Sequence, residues 1–237
     1  MTVNEASNDK PTMTRVRRSK EEARAAYDRM SAWYDLLAGA SEQPHVRAGL
    51  RKLDARQGER ILEIGFGTGR ALASLAEAVG SSGRAYGIDI SEGMARQASG
   101  RLEEVGLRDD AGLILGDGAR LPLRDGSLDA VFMSFALELF DTPRIPLVLG
   151  ACRRVLGERG RLCVVSLTKQ GRGSLSVRLY EWVHTKMPRY VDCRPIHVTR
   201  LLEDAGFEIV DAERRSMWTL PVPIALARPL PDSAGLA

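Results

Sequence analysis

The stretch ILEIGFGTGR, residues 61–70, places three glycines at every second position directly behind a short apolar run. An apolar run of this length that ends in glycine is typical of a buried strand, and the residues behind it predict a helix. They follow the helical spacing i, i+3, i+4, i+7, as Leu72, Leu75, Ala76 and Val79. Because glycine lets the backbone bend sharply and the helix start exposes amides, we expect the turn to bind an anionic group of a nucleotide-like ligand.

Strands and helices alternate along most of the chain. Further strands are predicted at RAYGIDI (84–90), GLILGD (112–117), LDAVFMSF (128–135) and RLCVVSL (161–167). Parallel strands need a crossover, which a helix supplies, so we predict an α/β protein with a doubly wound, mostly parallel sheet and helices on both faces. FEIVDAERR (207–215) and MWTLPVPIALA (217–227) follow each other without a helix, which predicts an antiparallel ribbon at one edge of the sheet.

Charge and cysteine content narrow the class of protein. The 237 residues carry 34 basic and 31 acidic side chains, a formal charge of +3 that gives no reason to expect a nucleic-acid partner. Cys152, Cys163 and Cys193 form neither a CxxC nor a Cys/His pattern, so we expect no metal site and a reduced compartment, the cytoplasm. No apolar stretch approaches the roughly 18 to 20 residues that span a bilayer, which leaves only peripheral membrane contact open.

We expect a single domain over residues 20–228, because apolar periodicity continues through this range. Residues 1–19 are polar with a basic cluster and are predicted to be a disordered leader, and residues 229–237 a loose tail. Helices over residues 20–55 are expected to cap the domain. A mixed aromatic and basic segment, residues 169–195, is predicted to be a substrate lid.

The glycine turn is compatible with two cofactors. A dinucleotide fingerprint has its third glycine three residues after the second, at position 70, where this chain has Arg70. Asp89 ends the second strand 20 residues beyond Gly69, where a carboxylate accepts hydrogen bonds from ribose hydroxyls of either cofactor. Asp117 ends the third strand and is not part of the dehydrogenase fingerprint. Together the positions favour S-adenosylmethionine over NAD.

These motifs resemble the class I S-adenosylmethionine-dependent methyltransferases. The resemblance rests on ILEIGFGTGR, YGIDISEGM (86–94), GDGARLPLRDGSLDAVF (116–132) and RVLGERGRLCVVS (154–166), in this order, and spans roughly residues 27–227. It implies a Rossmann-like, seven-stranded sheet, mostly parallel with an antiparallel edge strand, and S-adenosylmethionine as the cofactor. The cofactor-binding residues that it implies are Tyr27, Tyr34, Glu63, Gly65, Gly67, Gly69, Asp89, Ile90, Met94, Asp117, Gly118, Ala119 and Ser134.

Each of these residues has an expected part in the site. Glu63 would lie near the methionine ammonium, and the three glycines beneath the cofactor. Asp89 would hold the ribose, and Ile90 and Met94 would flank the adenine. Asp117 with the two residues after it would contact the edge of the adenine, and Ser134 would lie near the methyl group.

The N-terminal segment AAYDRMSAWYDLLAG (25–39) narrows the resemblance. Tyr27 and Tyr34 are seven residues apart and share one helical face, as in the ubiquinone/menaquinone biosynthesis C-methyltransferases and their relatives. Those enzymes carry an Arg-Asn pair after the fourth strand, whereas MSFALELF (133–140) has Glu138 and Leu139 at the nearest positions. The resemblance therefore extends to the fold and the cofactor but not to a quinone substrate.

The methyl acceptor is expected to be a small or lipid-like molecule. Candidates for a general base are Glu138, His184 and His197, although each histidine also fits a surface or packed position. The lid supplies aromatic and cationic side chains for substrate binding: Tyr180, Trp182, Tyr190 and Arg194. A phospholipid headgroup amine is one alternative acceptor. An NAD-dependent oxidoreductase and a non-catalytic cofactor-binding module are alternatives of other classes.

Overall fold

The structure is a computed structural model that describes residues 39–167, 196–217 and 220–231. Its strands are β1 Arg60–Ile64, β2 Arg84–Asp89, β3 Ala111–Leu115, β4 Leu128–Ser134, β5 Leu156–Val165, β6 Phe207–Met217 and β7 Leu220–Pro229. Its helices are α1 Gly39–Leu53, α2 Arg70–Val79, α3 Glu92–Glu104, α4 Ile145–Val155 and α5 Val198–Asp204, with short 3₁₀ helices at Leu137–Leu139 and Thr142–Arg144.

The seven strands form one sheet in the order β3-β2-β1-β4-β5-β7-β6. β1 to β5 pair in parallel, whereas β7 runs antiparallel to both β5 and β6. The predicted fold is confirmed, and the antiparallel ribbon lies at one edge with β6 outermost. The strand order reverses between β1 and β4. In open α/β sheets ligands bind at such a reversal, outside the carboxyl ends of the strands.

Alternate side chains of each central strand pack on opposite faces of the sheet. On β1, Ile61 lies in the core with α1, α2 and α3, while Leu62 lies in the core with α4 and α5. On β4, Phe132 and Met133 divide in the same way. Because both faces are covered, these strands are almost wholly apolar, which explains the uninterrupted apolar runs of the sequence.

Helix α1 crosses the sheet beside β4 and β5, and its last residues lie at the amino end of β5. There Arg161 Nε donates to the carbonyl of Leu53 at 2.6 Å. One turn earlier, Cys163 Sγ donates to the carbonyl of Gly49 at 3.4 Å. A Cβ on Gly49 would collide with the side chain of Val165, so the helix approaches the strand closely only because Gly49 has no side chain. Helix α1 therefore runs antiparallel to β5 and begins at the carboxyl edge of the sheet.

Several predictions about the ends of the chain remain predictions. Helix α1 lies within the expected cap region, residues 20–55, whereas residues 1–38 and 232–237 lie outside the described residues. Leu230, in the predicted loose tail, is held in place: its N–H donates to the carbonyl of Gly206 at 2.9 Å, and its carbonyl accepts from Arg153 at 3.0 Å.

Among the described helices, none has both the length and the apolar character needed to cross a membrane.

Two of the three cysteines are described. Cys152 and Cys163 are free thiols, each fully buried, as expected of small core residues. Burial raises the pKa of both thiols to about 12. Cys193 lies outside the described residues.

Candidate functional site

The glycine turn between β1 and α2 has a left-handed backbone at all three glycines. The φ angles are 75° at Gly65, 52° at Gly67 and 79° at Gly69, values that L-residues with a side chain rarely adopt. A Cβ on Gly65 would lie 2.7 Å from Ala136 Cβ, and one on Gly69 would lie 2.7 Å from Ala98 Cβ. A Cβ on Gly67 would have no neighbour within 4 Å. The turn is thus tightly packed at both ends and borders open space at its centre.

The start of α2 is suited to bind an anion. Gly69 precedes the helix, no side chain caps it, and its first turn contains no acidic residue. The helix therefore directs uncapped N–H groups and the positive end of its dipole towards the turn. The turn itself is held from α3, where Arg101 Nε donates to the carbonyl of Thr68 at 2.8 Å.

Asp89, at the end of β2, is joined directly to the turn. Its Oδ2 accepts from the N–H of Gly67 at 3.0 Å, and its Oδ1 accepts from the N–H of Ser91 at 3.0 Å. Two sequence motifs that lie 22 residues apart therefore meet at the carboxyl edge of the sheet, next to the reversal of strand order. Asp89 is half-buried, in a position compatible with its predicted contact to a ribose.

The two apolar residues predicted to flank the adenine differ in exposure. Ile90 is half-buried at the edge of the sheet, whereas Met94 is only 2% exposed and packs in the core. Met94 lies in the first turn of α3, where its N–H donates to Ser91 Oγ at 3.1 Å, so that Ser91 caps the helix. In this arrangement Met94 supports the wall of the site from within the core.

Glu63, near the end of β1, carries an unusual buried carboxyl group. The residue is 1% exposed, and its Oε2 has no hydrogen-bond partner among the described residues. Burial first, and then the negative charge of Asp89, raise the pKa of Glu63 well above its ordinary value. A buried acceptor without a partner is costly, so this position fits a ligand that brings a cationic N–H donor.

Asp117, after β3, is paired with a residue that the sequence analysis missed. Its Oδ1 accepts from the N–H of Ala119 at 3.1 Å, and its Oδ2 accepts from Arg144 Nη2 at 2.6 Å. Gly118 lets this loop pack against β1, because a Cβ there would lie 2.7 Å from Ile64 Cγ2. Arg144 comes from the second 3₁₀ helix, 27 positions along the chain, and no local pattern indicates the pair.

The carboxyl end of β4 is strained and apolar. Ser134 is half-buried there, and the next residue, Phe135, has a φ of 51°, which is uncommon for a residue other than glycine. The ring of His45, from α1, meets Phe135 edge to face at 6.5 Å and 83°. His45 was not among the predicted site residues. The only indication in the sequence around His45 is its position one helical turn before Gly49, on the packed face of α1.

Two of the predicted general bases are described. Glu138 is fully buried: its Oε2 accepts from Ser166 Oγ at 2.8 Å, and its Oε1 accepts from the N–H of Leu167 at 3.1 Å. These contacts join the loops after β4 and β5 and favour a structural role for Glu138. His197 is half-buried just before α5, and its neighbour Ile196 donates to the carbonyl of Leu167 at 3.0 Å, which places it at the same edge.

The remaining predicted site residues lie outside the described residues: Tyr27, Tyr34, Tyr180, Trp182, His184, Tyr190 and Arg194. Their roles stay predictions. In the part of the chain that the structure describes, no group of three or more His, Cys, Asp or Glu side chains could hold a metal ion.

Comparison with known proteins finds similarity to methyltransferases. Residues 61–160 match the model of a family described as a methyltransferase domain. The chain is 36% identical to nocamycin O-methyltransferase of Saccharothrix syringae over 57% of this chain and 48% of that protein. It is 32% identical to demethylmenaquinone methyltransferase of Geobacillus stearothermophilus over 59% of this chain and 61% of that protein. The matched part thus spans about half the length of such relatives.

A solved structure extends the likeness beyond the matched sequence. The Burkholderia thailandensis 1,6-didemethyltoxoflavin-N1-methyltransferase, solved with bound 1,6-didemethyltoxoflavin and S-adenosylhomocysteine, superimposes with a TM-score of 0.68. It covers 92% of this chain and 93% of its own at 17% identity, so the two proteins share a fold.

Proposed function

The chain belongs to the class I S-adenosylmethionine-dependent methyltransferases, and we propose that it transfers a methyl group from this cofactor to a small-molecule or lipid-like acceptor. The observation that carries the proposal is the buried carboxyl of Glu63 beside the glycine turn. Its unpartnered Oε2 fits the ammonium of a methionine moiety. The pyrophosphate of NAD would instead bring further negative charge towards Glu63 and Asp89, which disfavours the alternative of an oxidoreductase.

The chain's own residues account for each part of the cofactor. The uncapped start of α2 would bind the methionine carboxylate, while Glu63 would accept from the ammonium. Asp89 would accept from the ribose, and the loop at Asp117, fixed by Arg144, would contact the adenine. The carboxylate, the ammonium and the ribose of the cofactor would thus each meet a group of suitable charge at one edge of the sheet.

Bound S-adenosylmethionine supplies a methyl group that its positively charged sulfur already activates for transfer. The protein therefore has to align the acceptor with the methyl group and to exclude water. Alignment of this kind contributes up to roughly 7 to 11 kcal/mol in well-oriented intramolecular reactions. The end of β4, with half-buried Ser134 and the buried, strained Phe135, is a suitable wall for that purpose, because packing fixes its position.

Two measurements test this function in order. Isothermal titration calorimetry of the full chain should detect S-adenosylmethionine and S-adenosylhomocysteine but no NAD. A screen for S-adenosylhomocysteine release over quinols, phenols, phospholipids and small amines should then identify the acceptor class. Binding of NAD without binding of S-adenosylmethionine would contradict the proposal, and cofactor binding without turnover of any acceptor would favour the non-catalytic alternative.

A further inference from the structure

His45 lies above the carboxyl ends of β4 and β5, where the proposed methyl transfer takes place. Successive turns of α1 fix this position: Leu53 contacts Arg161 at the amino end of β5, and Gly49 contacts Cys163 and Val165. One further turn towards the start of α1 brings His45 against Phe135. Phe135 directly follows Ser134, the residue expected near the transferred methyl group. The imidazole therefore borders the acceptor side of the site.

The imidazole has an unsatisfied nitrogen. His45 is 6% exposed, and its Nδ1 is buried with no hydrogen-bond partner among the described residues. The ring of Phe135 meets it edge to face and carries no oxygen acceptor or N–H donor. A buried polar atom without a partner costs folding free energy, so its retention in a packed helix is explained by a ligand that completes the contact.

The surroundings keep this imidazole neutral. Burial and the positive charge of Arg215 lower the pKa of His45. Arg215 lies on β6 opposite Val222, in the part of the β6–β7 ribbon that extends beyond β5, and its guanidinium pairs with Glu213 on the same strand. An ion pair that joins α1 to this ribbon, Lys52 with Asp211, lies two turns away at the far end of the helix. A neutral imidazole with a free ring nitrogen can accept a proton at neutral pH.

We infer that His45 is the general base of the reaction and that the acceptor is an ionisable hydroxyl, as in a phenol or an enol. This inference rests on the proposed methyltransferase function and narrows it to O-methylation. Glu138, a base predicted from the sequence, is already bound to Ser166 and Leu167, whereas His45 Nδ1 has no such contact.

The proton transfer balances within this site. The O–H proton of the acceptor moves to Nδ1 of His45 while its oxygen forms a bond to the methyl carbon. The carbon–sulfur bond breaks, and its electron pair stays on sulfur, which becomes neutral. The resulting imidazolium loses its proton to water before the next turnover. Arg215 favours that loss, because a nearby positive charge destabilises the protonated ring.

A pair of phenols separates a base from a packing residue. His45→Gln is compared with wild type on an ordinary phenol and on a nitro-substituted phenol that is already ionised in mildly alkaline buffer. We expect kcat for the ordinary phenol to fall at least about 100-fold, the usual size of general-base catalysis. The loss should shrink below about tenfold for the ionised phenol, since no proton has to be removed from it. Equal losses on both phenols, or no loss, would overturn the inference.

The controls distinguish this inference from the proposed function. Arg47→Gln changes an exposed residue of the same helix and should behave as wild type. Affinity for S-adenosylmethionine in His45→Gln should stay within about threefold of wild type, because the imidazole faces the acceptor side. Absence of cofactor binding in wild type would refute the proposed function. Methylation of amines or carbon acceptors but of no hydroxyl would refute only the role of His45.

A spectroscopic readout does not depend on turnover. The chain has three histidines, so the ring-nitrogen signals of His45 are identified in a ¹⁵N-histidine NMR spectrum by their loss in His45→Gln. They should show a neutral ring at pH 7 and should shift when a phenol is added to the protein loaded with S-adenosylhomocysteine. Signals of His45 that no phenol or enol shifts would overturn the inference.

Discussion

Buried polar groups at the two edges of the sheet differ in whether they have a hydrogen-bond partner within the protein. At the amino edge, Arg161 Nη1 and Nη2 donate to the two carboxylate oxygens of Glu59, each at 2.8 Å. Two further N–H groups of Arg161 donate to the carbonyls of Leu53 and Asp54 at 2.6 and 2.7 Å. At the carboxyl edge, Glu63 Oε2 and His45 Nδ1 are both buried and lack a described partner.

The same β1 strand connects the two arrangements, since Glu59 immediately precedes it and Glu63 lies near its end. Desolvation raises the pKa of Glu59, but hydrogen bonds and charges from Arg161 and Arg56 outweigh it and lower the pKa overall. For Glu63, burial and Asp89 act together to raise the pKa. Two glutamates four residues apart thus differ because one is partnered within the protein and the other fits a partner from a ligand.

This difference indicates where stability and binding reside. An ion pair that is satisfied within the fold is costly to break, because removal of one partner leaves the other as an uncompensated charge. A polar group left unsatisfied reduces stability in the ligand-free protein and contributes when the ligand binds. Variants at the two edges should therefore separate folding from cofactor affinity.

The largest effect is expected at the amino edge. Arg161→Met should lower the free energy of unfolding by about 3 kcal/mol, because it leaves the partly buried Glu59 without its bidentate partner. Cofactor affinity measured well below the unfolding midpoint should be unchanged. Urea denaturation measures the loss, with Arg159→Met, an exposed arginine of the same strand, as the control. A loss close to that of the control would mean that the ion pair is not a main source of stability.

A smaller effect, on binding, is expected at the carboxyl edge. Asp89→Ala should weaken S-adenosylmethionine binding at least tenfold, about 1.4 kcal/mol, because the ribose hydroxyls lose a charged acceptor. The Gly67 and Ser91 amides also lose their acceptor, so the turn should become less ordered. Calorimetric titration measures the affinity, and Asp109→Ala, an exposed aspartate at the amino edge, is the matched control. Unchanged affinity would show that Asp89 does not bind the ribose.

The smallest effect concerns pH and stability at Glu63. At pH values above 4.5, the ordinary pKa of a glutamate, the folded protein keeps a proton on Glu63 that the unfolded chain releases. The free energy of unfolding therefore falls as pH rises through this window, by at most about 1.4 kcal/mol for each pH unit. Glu63→Gln lacks this fall, so the cofactor-free variant should match wild type below pH 4.5 and gain about 1 kcal/mol over it at neutral pH.

Denaturation curves at several pH values, recorded with and without cofactor, measure this gain. Saturating S-adenosylmethionine should reverse the order, since only the carboxylate provides a charged acceptor for the ammonium. A variant that is less stable than wild type at neutral pH without cofactor would show that Glu63 is already satisfied within the protein.

Features that depend on a few neighbouring residues were predictable from the sequence. The glycine turn was predictable because its positive φ angles require glycine. The positions of Asp89 and Asp117 in the site were predictable because both residues lie at the ends of apolar strands. The antiparallel ribbon follows from the absence of a helix between the last two strands. Parallel strands bring their carboxyl ends to one edge of the sheet. The proximity of residues at those ends can therefore be predicted without knowledge of side-chain packing.

Other features were decided by tertiary packing alone. Glu138 turns into the protein towards Ser166, Arg144 reaches Asp117, and His45 meets Phe135, 90 positions further along the chain. Each contact depends on how closely one segment crosses another, as where Gly49 lets α1 touch β5. The sequence by itself therefore determined the fold and the cofactor edge. The contacts of the side chains proposed to face the methyl acceptor were decided by helix packing, because contacts between distant segments leave no periodic signal in the chain.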